Sequence, residues 1–378
     1  MHFITLLALF GTLSTSHLLP RASSTPQCVG LSAESNNGDR KMAIVIDASG
    51  SMTTNDPTNL RLAAGKSVLD WLITKSEATG GKKQDYVTVI EFSDKATLDY
   101  SLGDPANAYD AVAGIRITGG TYIASGVEMA IAQLTASGTG NTADRSGIVV
   151  FTDGEDSYPN LLVDQINNAT KAGIRVSFGY LTSSIYQDTK VQGAIMNSGG
   201  AFFTISAAKD SNTFINGILV NGLTKQDNPN GDNSVLLSGL DASHYIAGSE
   251  TQNLKYNARK SEVLIFTVQS VDAGNLDVQI KSGKKVLASG HTSYSYKTFS
   301  VTSPGDGEIS VDVTAKNAPK NSIFIVGVDS NLPTQNCTVG IGKPGGGGRN
   351  KAATIGGGVG GGLGALGLML VGGYYLWK

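Results

Sequence analysis

Two short, uninterrupted apolar runs, each closed by an aspartate, limit the folds open to this chain. Met42–Ile46 ends on Asp47-Ala48-Ser49-Gly50-Ser51, and Ile148–Thr152 ends on Asp153-Gly154. A strand with one buried face alternates apolar and polar residues, whereas a run apolar at every position is buried on both faces. Strands of that kind belong to parallel sheets covered by helices. Helical spacing does separate them here: Asn59–Lys75 carries Leu60, Ala63, Ala64, Val68, Trp71 and Leu72 near one face, with Trp71 read as core. Tyr86–Phe92 reads as a further strand, Ala96–Ser101 as a short edge strand, and Tyr122–Leu134 as a helix. A helix at Tyr158–Ala172, a strand at Ile174–Leu181, a helix at Val191–Asn197, a strand at Ala201–Ile205 and a last helix at Ser211–Leu223 follow. The alternation predicts an α/β fold with a doubly wound, mainly parallel sheet.

In such a sheet the carboxyl ends of the strands share one edge, and ligands bind there. Asp47, Ser49 and Ser51 leave the first strand, Thr121 follows Gly119-Gly120 ahead of a helix, and Asp153 leaves a later strand. Five side chains from three loops therefore converge. They supply two carboxylates and three hydroxyls, with no nitrogen or sulfur. An all-oxygen set suits a hard divalent ion, Mg²⁺ ahead of Mn²⁺ or Ca²⁺, rather than zinc. The competing use of Ser49 and Ser51 is to cap the helix that follows them.

The Asp-x-Ser-x-Ser run, the later Thr and the later Asp before Gly resemble the metal-ion-dependent adhesion site of the von Willebrand factor A domain. The resemblance covers roughly residues 40 to 225, about half the chain. It implies that Ser49, Ser51 and Thr121 bind the ion through neutral oxygens, while Asp47 and Asp153 act partly through water. An ion so held keeps most of its charge and an open position for an outside anion, usually an Asp or Glu of a protein partner. The resemblance further implies that Thr121 joins the ion in the liganded state.

The chain has 378 residues, which predicts two domains. With 40% apolar and 16% charged residues it is globular, and a net charge of −2 leaves no electrostatic footprint for nucleic acid. Residues 41–225 form the α/β domain, and the polar stretch Lys225–Asp232 reads as a linker. Beyond it, Leu254–Tyr256, Val263–Val268, Leu276–Ile280, Lys285–Ala288, Tyr296–Val301, Glu308–Val313 and Ser322–Val326 read as short strands between turns. Such spacing predicts an all-β sandwich over 226–342. Asp272, Asp277 and Asp306 match no calcium-loop spacing and read as turn and surface acids. Hydrolase chemistry lacks its parts: after residues 1–16 only His17, His244 and His291 remain, none in the α/β domain. Neither a Gly-x-Ser-x-Gly nor a His-Glu-x-x-His motif occurs, so no enzyme activity is expected.

The ends of the chain point outside the cell. Residues 1–16 read as a secretory signal with a short apolar core and a cut after Ser16, followed by a polar leader over 17–40. Cys28 and Cys337 are an even pair flanking the folded region, which in a secreted chain predicts a disulfide. Asn168-Ala169-Thr170 is a glycosylation sequon, and Asn336-Cys337-Thr338 a second, poorer one. After a Gly-rich linker at 343–351, residues 352–377 carry no charge and are long enough to span a bilayer. Gly356, Gly360 and Gly364 recur at a spacing that lets transmembrane helices pack, and Tyr374, Tyr375 and Trp377 resemble an interface belt. The alternative is a lipid-anchor signal with attachment at Gly346-Gly347-Gly348. The function expected is cell-surface adhesion or protein-ligand binding. A wall or matrix component, in which the metal only stabilises the domain, is the alternative.

Overall fold

The computed structural model describes residues 38–154, 156–181, 188–205, 217–218, 221–228 and 233–333. The signal segment, Cys28, Cys337 and the tail from 343 onward lie outside the described residues, as does most of the helix expected at Ser211–Leu223. Among the described residues no helix is long and apolar enough to cross a membrane.

The apolar run at the start becomes β1 (Lys41–Asp47), every residue of which is buried. It is one of five parallel strands, flanked by β2 (Tyr86–Phe92) and β4 (Ser146–Thr152), with β5 (Ile174–Tyr180) and β6 (Phe202–Ile205) beyond β4. β3 (Ala96–Gly103) closes one edge antiparallel to β2. Because side chains alternate across a strand, β1 feeds two cores. Met42, Ile44 and Ile46 join Trp71 and Val149 on one face, and Ala43 and Val45 join Val127, Ile148 and Phe178 on the other. Helices cover both faces: α1 (Met52–Asn55), α2 (Leu60–Trp71) and α3 (Tyr109–Gly114), then α4 (Ile123–Thr135), α5 (Pro159–Lys171) and α6 (Thr189–Asn197). Trp71 is buried against the first core, as expected. Gly126 lets α4 approach the sheet, since a Cβ there would stand 2.7 Å from Val45 Cγ1.

The sheet does not end at β6. The strand β7 (Leu240–Gly248) pairs antiparallel with it, and β14 (Ala318–Ser330), β9 (Val263–Ser270) and β12 (Lys297–Thr302) continue outward. One ten-stranded mixed sheet therefore runs through both halves, in the order β12-β9-β14-β7-β6-β5-β4-β1-β2-β3. Its antiparallel half stacks on a second sheet of β11 (Lys285–Thr292), β10 (Leu276–Ser282), β13 (Gly307–Ala315) and β8 (Thr251–Ala258). Phe266, Val268, Phe324 and Val326 from the long sheet meet Tyr256, Val278, Ile280 and Val311 from the short one. A sandwich is present, but four of its strands are shared with the α/β sheet, which is mixed and not mainly parallel across its full width. The physical reason is β7, absent from the sequence reading because Leu240–Gly248 does not alternate cleanly. Tyr245 on β7 also reaches across to α6, donating its hydroxyl to the Gly193 carbonyl at 2.9 Å.

Candidate metal centre

The parallel register sets the site. Asp47 lies opposite Phe92 of β2, and Ile46 lies opposite Phe151 of β4, so β1 and β4 end on one line. Asp47 is fully buried at that line, its Oδ1 accepting the Ser49 amide at 2.7 Å and its Oδ2 the Thr152 hydroxyl at 2.6 Å. The chain then turns through Ser49 and Gly50 into α1. The Ser51 hydroxyl donates to Asp153 Oδ1 at 2.9 Å, and the Ser49 and Ser51 hydroxyl oxygens stand 3.0 Å apart. Ser51 occupies the N-cap position of α1, yet its side chain makes no capping bond. The serines face the strand-end acids, which answers the competing cap reading.

The third loop is tied in through its backbone. The Gly50 amide donates to the Gly119 carbonyl at 3.0 Å, and the Thr118 amide to the Ala48 carbonyl at 2.5 Å. Gly119 has φ +57°, and a Cβ there would stand 2.5 Å from Asp94 Oδ2, so only glycine suits the turn. Asp94 in turn accepts the Gly120 amide at 2.8 Å. Thr121, next in line, is half-buried, and its carbonyl accepts both the Ser157 amide at 2.9 Å and the Ser157 hydroxyl at 2.7 Å. The structure thus brings the Ser49, Ser51, Asp47 and Asp153 side chains into one hydrogen-bonded cluster and places Thr121 beside it through backbone contacts.

Several residues that hold this cluster escaped the sequence reading. Asn55 donates Nδ2 to Asp153 Oδ2 at 2.9 Å. Its position four residues after Ser51, one helical turn on, was the available signal. Arg61 is a fully buried cation whose Nε donates to the Asp47 carbonyl at 2.8 Å and whose guanidinium pairs with Asp56 at 2.7 Å. Asp56 also accepts the Leu60 and Arg61 amides and so caps α2. Asp156 bridges two helix starts, accepting the Ala124 amide at 2.5 Å and the Tyr158 amide at 2.6 Å. Asp272 and Asp306 accept backbone amides of Ile323 and Lys260, while Asp277 lies between His291 and Lys316. Asn168 is exposed on α5, with the Thr170 hydroxyl turned back to the Ile166 carbonyl.

The donor chemistry fits a hard cation. Burial pushes the Asp47 carboxyl up to about 6, and the neighbouring Asp153 carboxylate adds to the rise against the hydrogen bonds of Ser49 and Thr152. Among the described residues none of the groups that set its titration is basic. Two buried acids kept close without a cationic partner for Asp47 are costly unless positive charge arrives from outside. Among the described residues no group of three or more His, Cys, Asp or Glu is arranged to hold a metal ion. An oxygen shell of the kind hard divalent ions prefer would draw here on the hydroxyls of Ser49, Ser51 and Thr121 beside the two carboxylates.

No curated protein matches the chain. Among solved structures, proximal thread matrix protein 1 from the mussel byssus with a zinc-occupied MIDAS motif is 22% identical over 49% of this chain and 45% of its own, with a TM-score of 0.40. The match thus spans less than half of the mussel protein. Manganese-loaded TRAP protein of Plasmodium vivax is 14% identical over 40% of this chain and 60% of its own, with a TM-score of 0.31. Three N-terminal domains of the type V pili tip protein Mfa5 from Porphyromonas gingivalis are 11% identical over 73% of this chain and 61% of theirs, with a TM-score of 0.35. Residues 42–155, which contain all five oxygen donors, match the von Willebrand factor type A domain family, and this part of the chain is a von Willebrand factor type A domain.

Proposed function

We propose that this domain holds a divalent cation between Asp47, Ser49, Ser51, Thr121 and Asp153 and through it grips a carboxylate on an extracellular protein partner. The observation that carries the reading is the contact of the Ser51 hydroxyl with both Ser49 and Asp153, at 3.0 and 2.9 Å. It gathers acids and hydroxyls from separate loops at a sheet edge where ligands enter. The cation would supply an under-neutralised positive charge and a free coordination position. The protein's own groups fix its place: Asn55 and Thr152 orient the two carboxylates, and Arg61 anchors the end of β1. Mg²⁺ is the ion we assign first, with Mn²⁺ or Ca²⁺ as alternatives.

The reading is non-catalytic. His244 and His291 stand on β7 and β11 of the sandwich, not among the strand-end acids. In the full proposal the chain passes through the secretory pathway. It is closed by a Cys28–Cys337 disulfide, carries a glycan at Asn168, and is held at the cell surface by residues 352–378 as a single-pass helix or a lipid-anchor signal. The test is adhesion of the secreted domains to immobilised extracellular proteins in Mg²⁺ and after chelation. Binding lost on chelation and restored by Mg²⁺ supports the grip. Binding indifferent to chelation, with only stability reduced, would instead favour a wall or matrix role for the metal.

A further inference from the structure

The rim of this site carries a preformed aromatic pair that the cation-binding role does not use. Tyr122 and Tyr158 meet edge to face, with ring centroids 5.0 Å apart and planes at 66°. Each is the residue just ahead of a helix, α4 or α5, and each is fixed by its backbone: the Tyr122 amide donates to the Ser93 carbonyl, the Tyr158 amide to Asp156. They follow Thr121 and Ser157, which are joined by two hydrogen bonds, so the rings stand one residue beyond the oxygen donor Thr121. Tyr158 is nevertheless 53% exposed, and Leu161, one turn along α5, is 45% exposed. In the loop that carries Thr121, Ile117 is also exposed, directly before Thr118 and its bond to Ala48. Among the described residues of the α/β half, the other exposed large apolar side chain is Tyr86, which opens β2 at the opposite edge of the sheet. Single exposed apolar residues need no explanation, but three collected around one charged site do.

Resting on the metal-bridged reading above, we infer that the partner presents its carboxylate beside an aromatic or large aliphatic side chain, which packs on the Tyr122–Tyr158 pair and Leu161. An apolar neighbour is matched by the exposed side chains of Tyr158 and Leu161, which offer apolar surface directly beside the oxygen cluster. Apolar contact around the rim also removes water from the carboxylate–cation contact, and charge attraction strengthens as water leaves. The tyrosines are already in place, so little ordering is lost on binding.

The experiment is selection of a short peptide library with one fixed Asp and randomised flanks on the full chain, in Mg²⁺ and in EDTA. The expected result is Mg²⁺-dependent capture with aromatic or large aliphatic residues enriched at a fixed offset from the Asp. Recovered peptides should bind about tenfold more tightly than versions with Ser at that offset, the size of one aromatic contact. Tyr158→Ser and Leu161→Ser should erase that preference, and Tyr86→Ser should keep it. Mg²⁺-dependent capture with no preference at any offset, or a preference that survives Tyr158→Ser and Leu161→Ser, would overturn the inference and leave the metal-bridged grip standing. Capture that does not depend on the fixed Asp would overturn both.

Discussion

Ser51 and Asp153, 102 residues apart in sequence, are joined by a 2.9 Å hydrogen bond from hydroxyl to carboxylate. The bond couples the loop after β1 to the loop after β4, and it aims a neutral and a charged oxygen at the same space. Asp153→Ala removes the acceptor of both Ser51 and Asn55. The expected outcome is loss of divalent-dependent stabilisation with the fold retained. In the unaltered protein, a ligand at a hundredfold excess over its dissociation constant stabilises the native state by about 2.7 kcal/mol. Thermal unfolding titrated with Mg²⁺, Mn²⁺ and Ca²⁺ reads this directly. An equal shift in a well-folded Asp153→Ala protein would refute the site.

Arg61 supports the same site from the protein side. It is buried, pairs with the buried Asp56, and donates to the backbone of Asp47. Arg61→Met keeps the apolar stem but leaves the Asp56 carboxylate without its cation. Breaking one side of a buried pair costs about 3–5 kcal/mol. Denaturant unfolding of Arg61→Met should show a loss of that order, and a loss below about 1 kcal/mol would mean that Asp56 is satisfied by the backbone amides of residues 60 and 61 and by water alone.

The strands of the α/β half and both acids at their ends were legible because fully buried strands write themselves as continuous apolar runs. Lys41–Asp47 and Ser146–Thr152 extend the expected runs by only one or two residues. The short helices α1 and α3 were not legible, since four to six residues carry too little periodicity to register. The supports of the site, Asn55, Asp56, Arg61 and Asp156, act through contacts that spacing alone does not announce. Arg61 sits in a helix where a charged residue reads as surface, yet it is buried because Asp56 and the Asp47 carbonyl satisfy it. The shared sheet was hidden for a different reason. β7 mixes Asp241, Ser243 and His244 into an otherwise apolar strand, and the polar stretch ahead of it reads as a boundary.

That shared sheet predicts cooperative unfolding. β6 pairs with β7 through Phe203, Thr204 and Ile205, and Leu237 and Leu240 from the second half sit in the same core as Trp71. Separating the halves would bare a strand edge and that core together, a state prone to aggregation. Fluorescence of Trp71, measured in a chain lacking residues 352–378, and far-ultraviolet circular dichroism should therefore report one coincident transition in denaturant. Two separated transitions would show that the halves unfold independently. A chain cut at about residue 225 should aggregate or lose several kcal/mol of stability, because Leu237 and Leu240 leave the core.

His244 gives the protein an acid-side weakness of definite sign. It is buried on β7 against Phe324, its Nε2 has no hydrogen-bond partner among the described residues, and burial alone lowers its pKa to about 4 from the ordinary 6.5. Above pH 6.5 the ring is neutral whether the chain is folded or not, so it adds no pH dependence. As the pH falls, the unfolded chain takes up a proton that the folded chain refuses, and stability is lost progressively from 6.5 down through 4. At about 1.4 kcal/mol per pH unit the loss reaches about 3 kcal/mol. Asp241, three residues away, works in the opposite direction, since burial and then Asp329 raise its carboxyl to about 6 and the folded chain holds that proton more tightly. The two groups therefore offset one another in part, and the difference between the unaltered protein and His244→Leu isolates the histidine. Denaturant unfolding of both should give a difference that is constant above pH 6.5 and moves in favour of His244→Leu as the pH falls toward 4. A difference independent of pH across that window would show that His244 takes up its proton as readily in the folded chain as in the unfolded one.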